Sequence, residues 1–263
     1  MLDIINVTAF GGGFAGATFV GILLFLELGH WLGKRVISTS GLEVPPSVGS
    51  LETAIFALMG LLIAFTFSGA LTRFDARRAQ IVSEANAIGT AYLRLDLLPT
   101  AEQPKLREAF RNYVDSRIAT YKLLPDVDAA RKELARSQQL QNEIWAKAIA
   151  ASRLPGSQPG VGLLVIPALN DMFDISATRV AATMIHPPMI IYFMLIGLAF
   201  ASALLAGYQS VGEKGHDLMR RIGFAAIIAL TVYVILDIEY PRLGFVRLDA
   251  MDQLLISVRA GMG

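Results

Sequence analysis

Four stretches of the chain are apolar for long enough to cross a bilayer, whose hydrocarbon core requires about 20 helical residues. They run Ala9–Leu28, Thr53–Leu71, Pro188–Tyr208 and Ile222–Ile238. The second and third are uncharged throughout, the first carries only Glu27, and the fourth has Asp237 near its end. The fourth is short. Its uncharged core, Ile222–Leu236, is only ~22 Å long at the helical rise per residue. Arg220 and Arg221 can snorkel at one end, and Asp237 and Glu239 can sit among headgroups at the other. Before the first span the chain has Asp3 and no Lys or Arg. Met1–Leu28 therefore reads as a retained helix rather than a cleaved leader.

Between the second and third spans the pattern changes. Thr72–Pro187 holds 15 Lys or Arg and 12 Asp or Glu. Strand-like alternation and Asn-Gly or Asp-Gly hairpin turns are missing, so this segment is expected to be helical. Ile81, Ala85, Ile88, Tyr92 and Leu95 recur at three and four residues and continue the second span to Pro99. Thr100 with Gln103 resembles a capping box for the next helix. That helix shows one face of Leu106, Phe110, Tyr113, Val114, Arg117 and Tyr121, and ends near Leu124. A third helix starts at Pro125–Asp126 and runs to about Ser152 through Leu134, Leu140, Ile144 and Ala148. The Gly, Pro and Ser content of Arg153–Gly162 predicts a loop. A fourth helix over Val161–Ile185, kinked at Pro167, leads back to the membrane at His186, Pro187 and Pro188.

The predicted fold is all-α: a polytopic membrane protein with four transmembrane helices and a helical cytoplasmic domain between the second and third. Its parts are 1–71, 72–187, 188–239 and a C-terminal tail, 240–263. Composition agrees. Hydrophobic residues are 54% of the chain, charged residues 17%, and mean hydropathy is +0.52, against roughly 25% charge in an average soluble domain. The absence of cysteine excludes disulfide scaffolds, thiol catalysis and thiolate metal sites. The three histidines, His30, His186 and His216, lie in separate regions, and a net charge of +1 points to no nucleic-acid partner. No metal and no cofactor is expected.

Ionisable residues at membrane depth are functional candidates because lipid makes them costly. Glu27 and His30 share a helix face, either as a proton relay or ion pair or as interface residues beside Lys34 and Arg35. Glu52 suits the positive end of a helix dipole, and Asp237 and Glu239 are placed to pair with Arg242. Asp171 and Asp174 lack a nearby histidine and make a poor metal site. Hydrolase, Walker and dinucleotide fingerprints are missing, and Ser68 has no obvious base, so no catalytic residue is assigned. Small residues recur every four positions at Ala9, Gly13, Ala17 and Gly21, with Gly12 and Gly16 beside them, and again at Ala199, Ala203 and Gly207. Such ridges let helices approach closely within or between subunits.

In the second span Leu61, Phe65, Ser68 and Thr72 share one face, and Leu58, Leu62, Thr66 and Gly69 an adjacent one. An apolar constriction with a polar end can gate a pore by dewetting, although the same face would serve against lipid or a helix. Arg73, Arg77 and Arg78 follow and would attract anions at a pore mouth, or form an ordinary interfacial belt.

Gly60–Pro99, GLLIAFTFSGALTRFDARRAQIVSEANAIGTAYLRLDLLP, resembles the signature of the bacterial bestrophin-like domain family, and the closing DIEYPRLGF, Asp237–Phe245, resembles that family's ending, with Glu239 in place of an aspartate. Similarity to bestrophins themselves is weaker. It implies a pentameric anion or cation channel with four membrane segments, cytosolic termini, a long cytosolic insertion and a pore lined by the second segment. Arg73–Arg78 resembles the stretch that follows that segment, with its tryptophan lost, and nothing resembles an acidic calcium clasp. The resemblance sets the termini on the cytoplasmic side of a bacterial inner membrane. The basic residues alone do not, with Arg73, Arg77, Arg78, Arg179, Arg242 and Arg247 on one side against Lys34, Arg35, Lys214, Arg220 and Arg221 on the other. Two functions are therefore expected: a homo-oligomeric, anion-conducting channel for small ions, or a non-conducting membrane-anchored scaffold or sensor that recruits a cytosolic partner through its helical domain.

Overall fold

A computed structural model describes residues 7–41, 43, 45–211, 218–242 and 244–263. Lys214, His216 and the side chain of Ala9 lie outside the described set. Among the described residues there are eight α-helices, one 3-10 turn and no strand: α1 (Val7–Ser40), α2 (Gly49–Arg94), the turn Leu95–Leu97, α3 (Gln103–Lys122), α4 (Val127–Ser152), α5 (Val161–Ala182), α6 (Met189–Gln209), α7 (Leu218–Glu239) and α8 (Asp249–Ala260). The chain divides into two compact units, Met1–Arg73 with His186–Tyr240 and Phe74–Ile185 with Pro241–Gly263. α2 runs unbroken through the boundary at Arg73. The segment after Tyr240, set apart as a tail by sequence, folds into the second unit through α8.

In the first unit α1 packs along α6 and α7. Glycine makes the α1–α6 approach possible: a Cβ on Gly29 would overlap the carbonyl oxygen of Leu204, and one on Gly207 that of Leu26. Helices in lipid gain stability from such close contact rather than from expelling water. Ala199 and Ala203 continue the ridge and are fully buried, beside Ile22, Leu26, Met59, Ala225 and Ile228. Phe25 stacks on Phe200 at 4.7 Å, and Phe56 meets Phe224 edge-on at 5.9 Å. The N-terminal ridge is packed only at its far end, where a Cβ on Gly21 would overlap the Phe200 ring. Nothing lies within 4 Å of a Cβ placed on Gly12, Gly13 or Gly16.

The second unit is a helical domain around one core. The predicted stripe of α2, Ile81, Ala85, Ile88, Tyr92 and Leu95, is buried throughout, as is the face Leu106, Phe110, Tyr113, Val114, Arg117 and Tyr121 of α3. Asp126 caps α4, accepting a hydrogen bond from Ala129 N at 3.0 Å. The expected Thr100–Gln103 box does not form. α3 begins only at Gln103, where Pro104 supplies first-turn geometry, and the Gln103 amide instead donates to the carbonyls of Asp96 and Leu98.

Among the described residues five helices are long and apolar enough to cross a membrane. The apolar pattern predicts four, and α5 is the fifth. Its apolar residues Val161, Val165, Ala168, Leu169 and Met172 join the core of the second unit. α5 continues through Pro167, and Arg94 donates to Leu164 O at 2.6 Å one turn earlier.

Candidate functional site

α2 presents its two sides very differently. Met59, Thr66 and Ala70 are buried. Lacking water, the Thr66 hydroxyl satisfies itself on Leu62 O at 2.8 Å. On the other side Leu61, Phe65, Ser68 and Thr72 form one exposed stripe, and Phe65 keeps 67% of its surface. The four cover three turns of helix, about 16 Å. The hydroxyl of Thr72 donates to Ser68 O at 2.9 Å, which leaves Ser68, among the described residues, as the free hydroxyl donor of the stripe.

The three arginines that follow point elsewhere. Arg73 grips Glu239, with Nη2 at 2.7 Å from Oε2 and Nε at 3.0 Å from both oxygens. Its guanidinium also lies over Gly69. Arg77 is buried and donates to the carbonyls of Ala182 at 3.3 Å and Ile185 at 3.2 Å, at the end of α5. Cations suit that negative helix end. Arg78 alone remains exposed, 3.3 Å from Asp75. At 100° per residue, Asp75 lies about 50° from the centre of the Leu61–Thr72 stripe, whereas Arg73 and Arg78 lie about 110° away and Arg77 about 150°. Asp75 is thus the charged residue closest to the stripe. The sequence pattern held this signal, but run-together arginines draw the eye from it.

The remaining intramembrane candidates fall into two clusters at opposite ends of the first unit. At one end Glu239, fully buried, also meets His186 Nδ1 at 3.0 Å, and the His186 ring stacks on Tyr240 at 4.4 Å. Asp237 is buried on the same turn of α7. Sequence set Arg242 against Asp237 and Glu239. Instead Arg242 binds Asp252 at 2.5 Å within the second unit, and Arg73 and His186 hold Glu239. At the other end Glu27 pairs with Arg221, His30 Nδ1 lies 3.0 Å from Ser210 Oγ, and Gln209 binds Glu52. Glu27 and His30 thus engage α7 and the end of α6 rather than serving as each other's main partner.

The second unit has a buried charge network that sequence reasoning missed. Glu84 of α2 receives Arg117 Nε at 2.6 Å and Arg179 Nη1 at 2.5 Å, and Arg179 continues to Asp252 at 3.0 Å. The guanidiniums of Arg117, Arg179 and Arg242 all face the Tyr121 ring, at 5.3, 3.7 and 4.9 Å. Arg242 holds φ at 90°, a strained conformation for a non-glycine residue, secured by its N–H to Val246 O at 3.0 Å and by Asp252. Burial pushes the Glu84 carboxyl up, but Arg117 and Arg179 more than reverse this and hold it below its ordinary value. Among the described residues no group of three His, Asp or Glu side chains could hold a metal ion.

Residues 20–250 match the model of the bestrophin-like domain. The chain belongs to the bestrophin-like family. A crystal structure of a bacterial bestrophin homologue from Klebsiella pneumoniae, a tryptophan-to-alanine variant, aligns with a TM-score of 0.62 over 94% of this chain and 97% of that one, at 16% identity. At that identity the likeness shows a shared fold. No curated protein sequence matches the chain. The described residues of this bestrophin-like chain form helices and no strand, and its family and long apolar helices mark a multi-pass membrane protein.

Proposed function

We propose that the protein is an oligomeric ion channel of the bacterial inner membrane whose pore is lined by α2. α1, α6, α7 and residues 53–71 of α2 cross the bilayer, while α5, with Asp171, Asp174 and an inward apolar face, stays in the cytoplasmic domain with both termini. The carrying observation is the exposed stripe Leu61, Phe65, Ser68 and Thr72. An apolar helix that carries the hydroxyls of Ser68 and Thr72 on its outer face, away from its own bundle, is suited to a water-filled passage between copies of the chain. The family resemblance implies a homopentamer. Phe65, the bulkiest member, forms the constriction.

Anion conduction follows from the resemblance and draws on Arg78, the arginine that stays exposed. A cation-conducting form is the second reading, favoured by Asp75, which lies nearer the stripe. The test is reconstitution in liposomes with chloride and potassium flux measured separately. The channel reading expects flux that rises severalfold in Phe65→Ala. A verified oligomer that is silent with both ions, and stays silent as Phe65→Ala, contradicts it.

A further inference from the structure

On α1, Val20, Leu24, Leu28 and Trp31 lie at spacings of four, four and three residues and form one exposed stripe, with Leu24 at 64% and Trp31 at 53% of full exposure. The next position on the stripe is Arg35, whose guanidinium stands 5.4 Å above the Trp31 ring. Lys34 beside it is also exposed. Among the described residues neither Lys34 nor Arg35 has a carboxylate partner. Nearby charges differ: Arg221 is already neutralised by Glu27.

We infer that this end of α1 binds an anionic phospholipid, with an acyl chain along Val20, Leu24 and Leu28, the Trp31 indole at the interface, and Lys34 and Arg35 on the headgroup phosphate. A tryptophan that ends a lipid-facing apolar stripe sits at the level of the glycerol and headgroups. Two cations with no carboxylate partner among the described residues, one turn beyond it, then lie where phosphates are. Arginine's planar fork takes a phosphate through two hydrogen bonds, and stacking on the indole fixes the direction of the fork. A zwitterionic headgroup carries its own ammonium beside the phosphate and leaves the pair half-neutralised. The site therefore selects for net negative lipid. The inference rests on the bilayer placement of α1 and not on conduction.

The chain has two tryptophans, Trp31 and Trp145. A Trp145→Phe variant, reconstituted in vesicles, makes Trp31 the sole indole. Its quenching is compared for brominated phosphatidylglycerol and brominated phosphatidylcholine, each a minor component in unlabelled phosphatidylcholine. The expected preference for phosphatidylglycerol is about thirty-fold in relative association constant, from two basic residues at the surface. In Lys34→Gln/Arg35→Gln it falls to near one, while circular dichroism of this exposed-site variant stays unchanged. Equal quenching by both lipids overturns the inference, as does a preference that survives the double substitution. Trp31 shielded from both lipids would mean that a neighbouring subunit covers the face. A preference erased by inorganic phosphate at constant ionic strength would mean a free-anion site. Either result also overturns the inference.

Discussion

Arg73 holds Glu239 through a two-pronged contact, Nη2 to Oε2 at 2.7 Å and Nε to both oxygens at 3.0 Å, with the carboxylate fully buried. The two residues end the parts of α2 and α7 that belong to the first unit, and His186, at the start of the α6 strand of chain, joins them on Oε1. The chain passes between its two units after Arg73, before His186 and after Tyr240. One carboxylate therefore lies at all three points where the chain leaves the first unit.

Glu239→Gln should lower stability by roughly 1.5–3 kcal/mol, because it leaves the half-buried Arg73 guanidinium without its charge partner. Glu239→Asp, which keeps the charge but shortens the reach, should fall between. Thermal unfolding of the detergent-solubilised protein reads both. A Gln variant as stable as the parent would show that the contact contributes little.

The Glu84 network predicts acid lability of the helical domain. Glu84 titrates below its ordinary 4.5 when folded. A carboxyl with a depressed folded pKa contributes stability that is fully present above the unfolded value and is lost as pH falls through the folded one, because the unfolded chain takes up the proton first. Unfolding temperature should be nearly flat from neutral pH to about pH 5 and fall below pH 4.5. Glu84→Gln should weaken this acid dependence and cost roughly 3–5 kcal/mol at neutral pH, since Arg117 and Arg179 lose their shared partner. An unchanged acid profile in the variant would assign the lability elsewhere.

Much of this architecture is legible in the sequence because it follows helical period. Ile81 through Leu95 and Leu106 through Tyr121 alternate at three and four residues, and burial selects those positions. Glu84 lies on the same stripe, and Arg117 was among the face residues of α3, so the buried charge pair was visible in principle as two ionisable residues on apolar faces. The partners of Arg73 and Arg179 were not. Glu239 is 166 residues from Arg73, and Glu84 is 95 from Arg179. No local pattern encodes such a meeting. α3's start is hidden for the opposite reason: Thr100 looks like a cap locally, while Pro104 decides where the helix can begin.

Glycine positions separate the packed ridge from the open one. Gly29→Ala and Gly207→Ala each drive a methyl group into a backbone carbonyl of the facing helix, which cannot move as a side chain can. Each should destabilise by about 3 kcal/mol or more. Gly12→Ala meets nothing within 4 Å and should change stability by less than ~0.5 kcal/mol. Unfolding of the three variants in detergent distinguishes them, and equal effects would contradict the close α1–α6 approach.

Asp75 and Arg78 give opposite expectations for the sign of the conducted charge. If the second reading of the channel holds, Asp75→Asn lowers the potassium-to-chloride flux ratio severalfold, and Arg78→Gln raises it. If anions are conducted through Arg78, both changes reverse in weight: Arg78→Gln cuts chloride flux and Asp75→Asn spares it. Flux ratios in liposomes at equal protein density decide between them.

The claim that α2 faces a water-filled passage is tested most directly by cysteine accessibility, for which the cysteine-free chain is already suited. Single cysteines at Leu61, Phe65, Ser68 and Thr72, with Met59 and Thr66 as buried controls, are exposed to a membrane-impermeant charged thiol reagent while ion flux is recorded. Modification and loss of flux are expected at the four stripe positions and neither at the controls. Stripe positions that stay unreactive in a conducting oligomer, or react without changing flux, would contradict the claim.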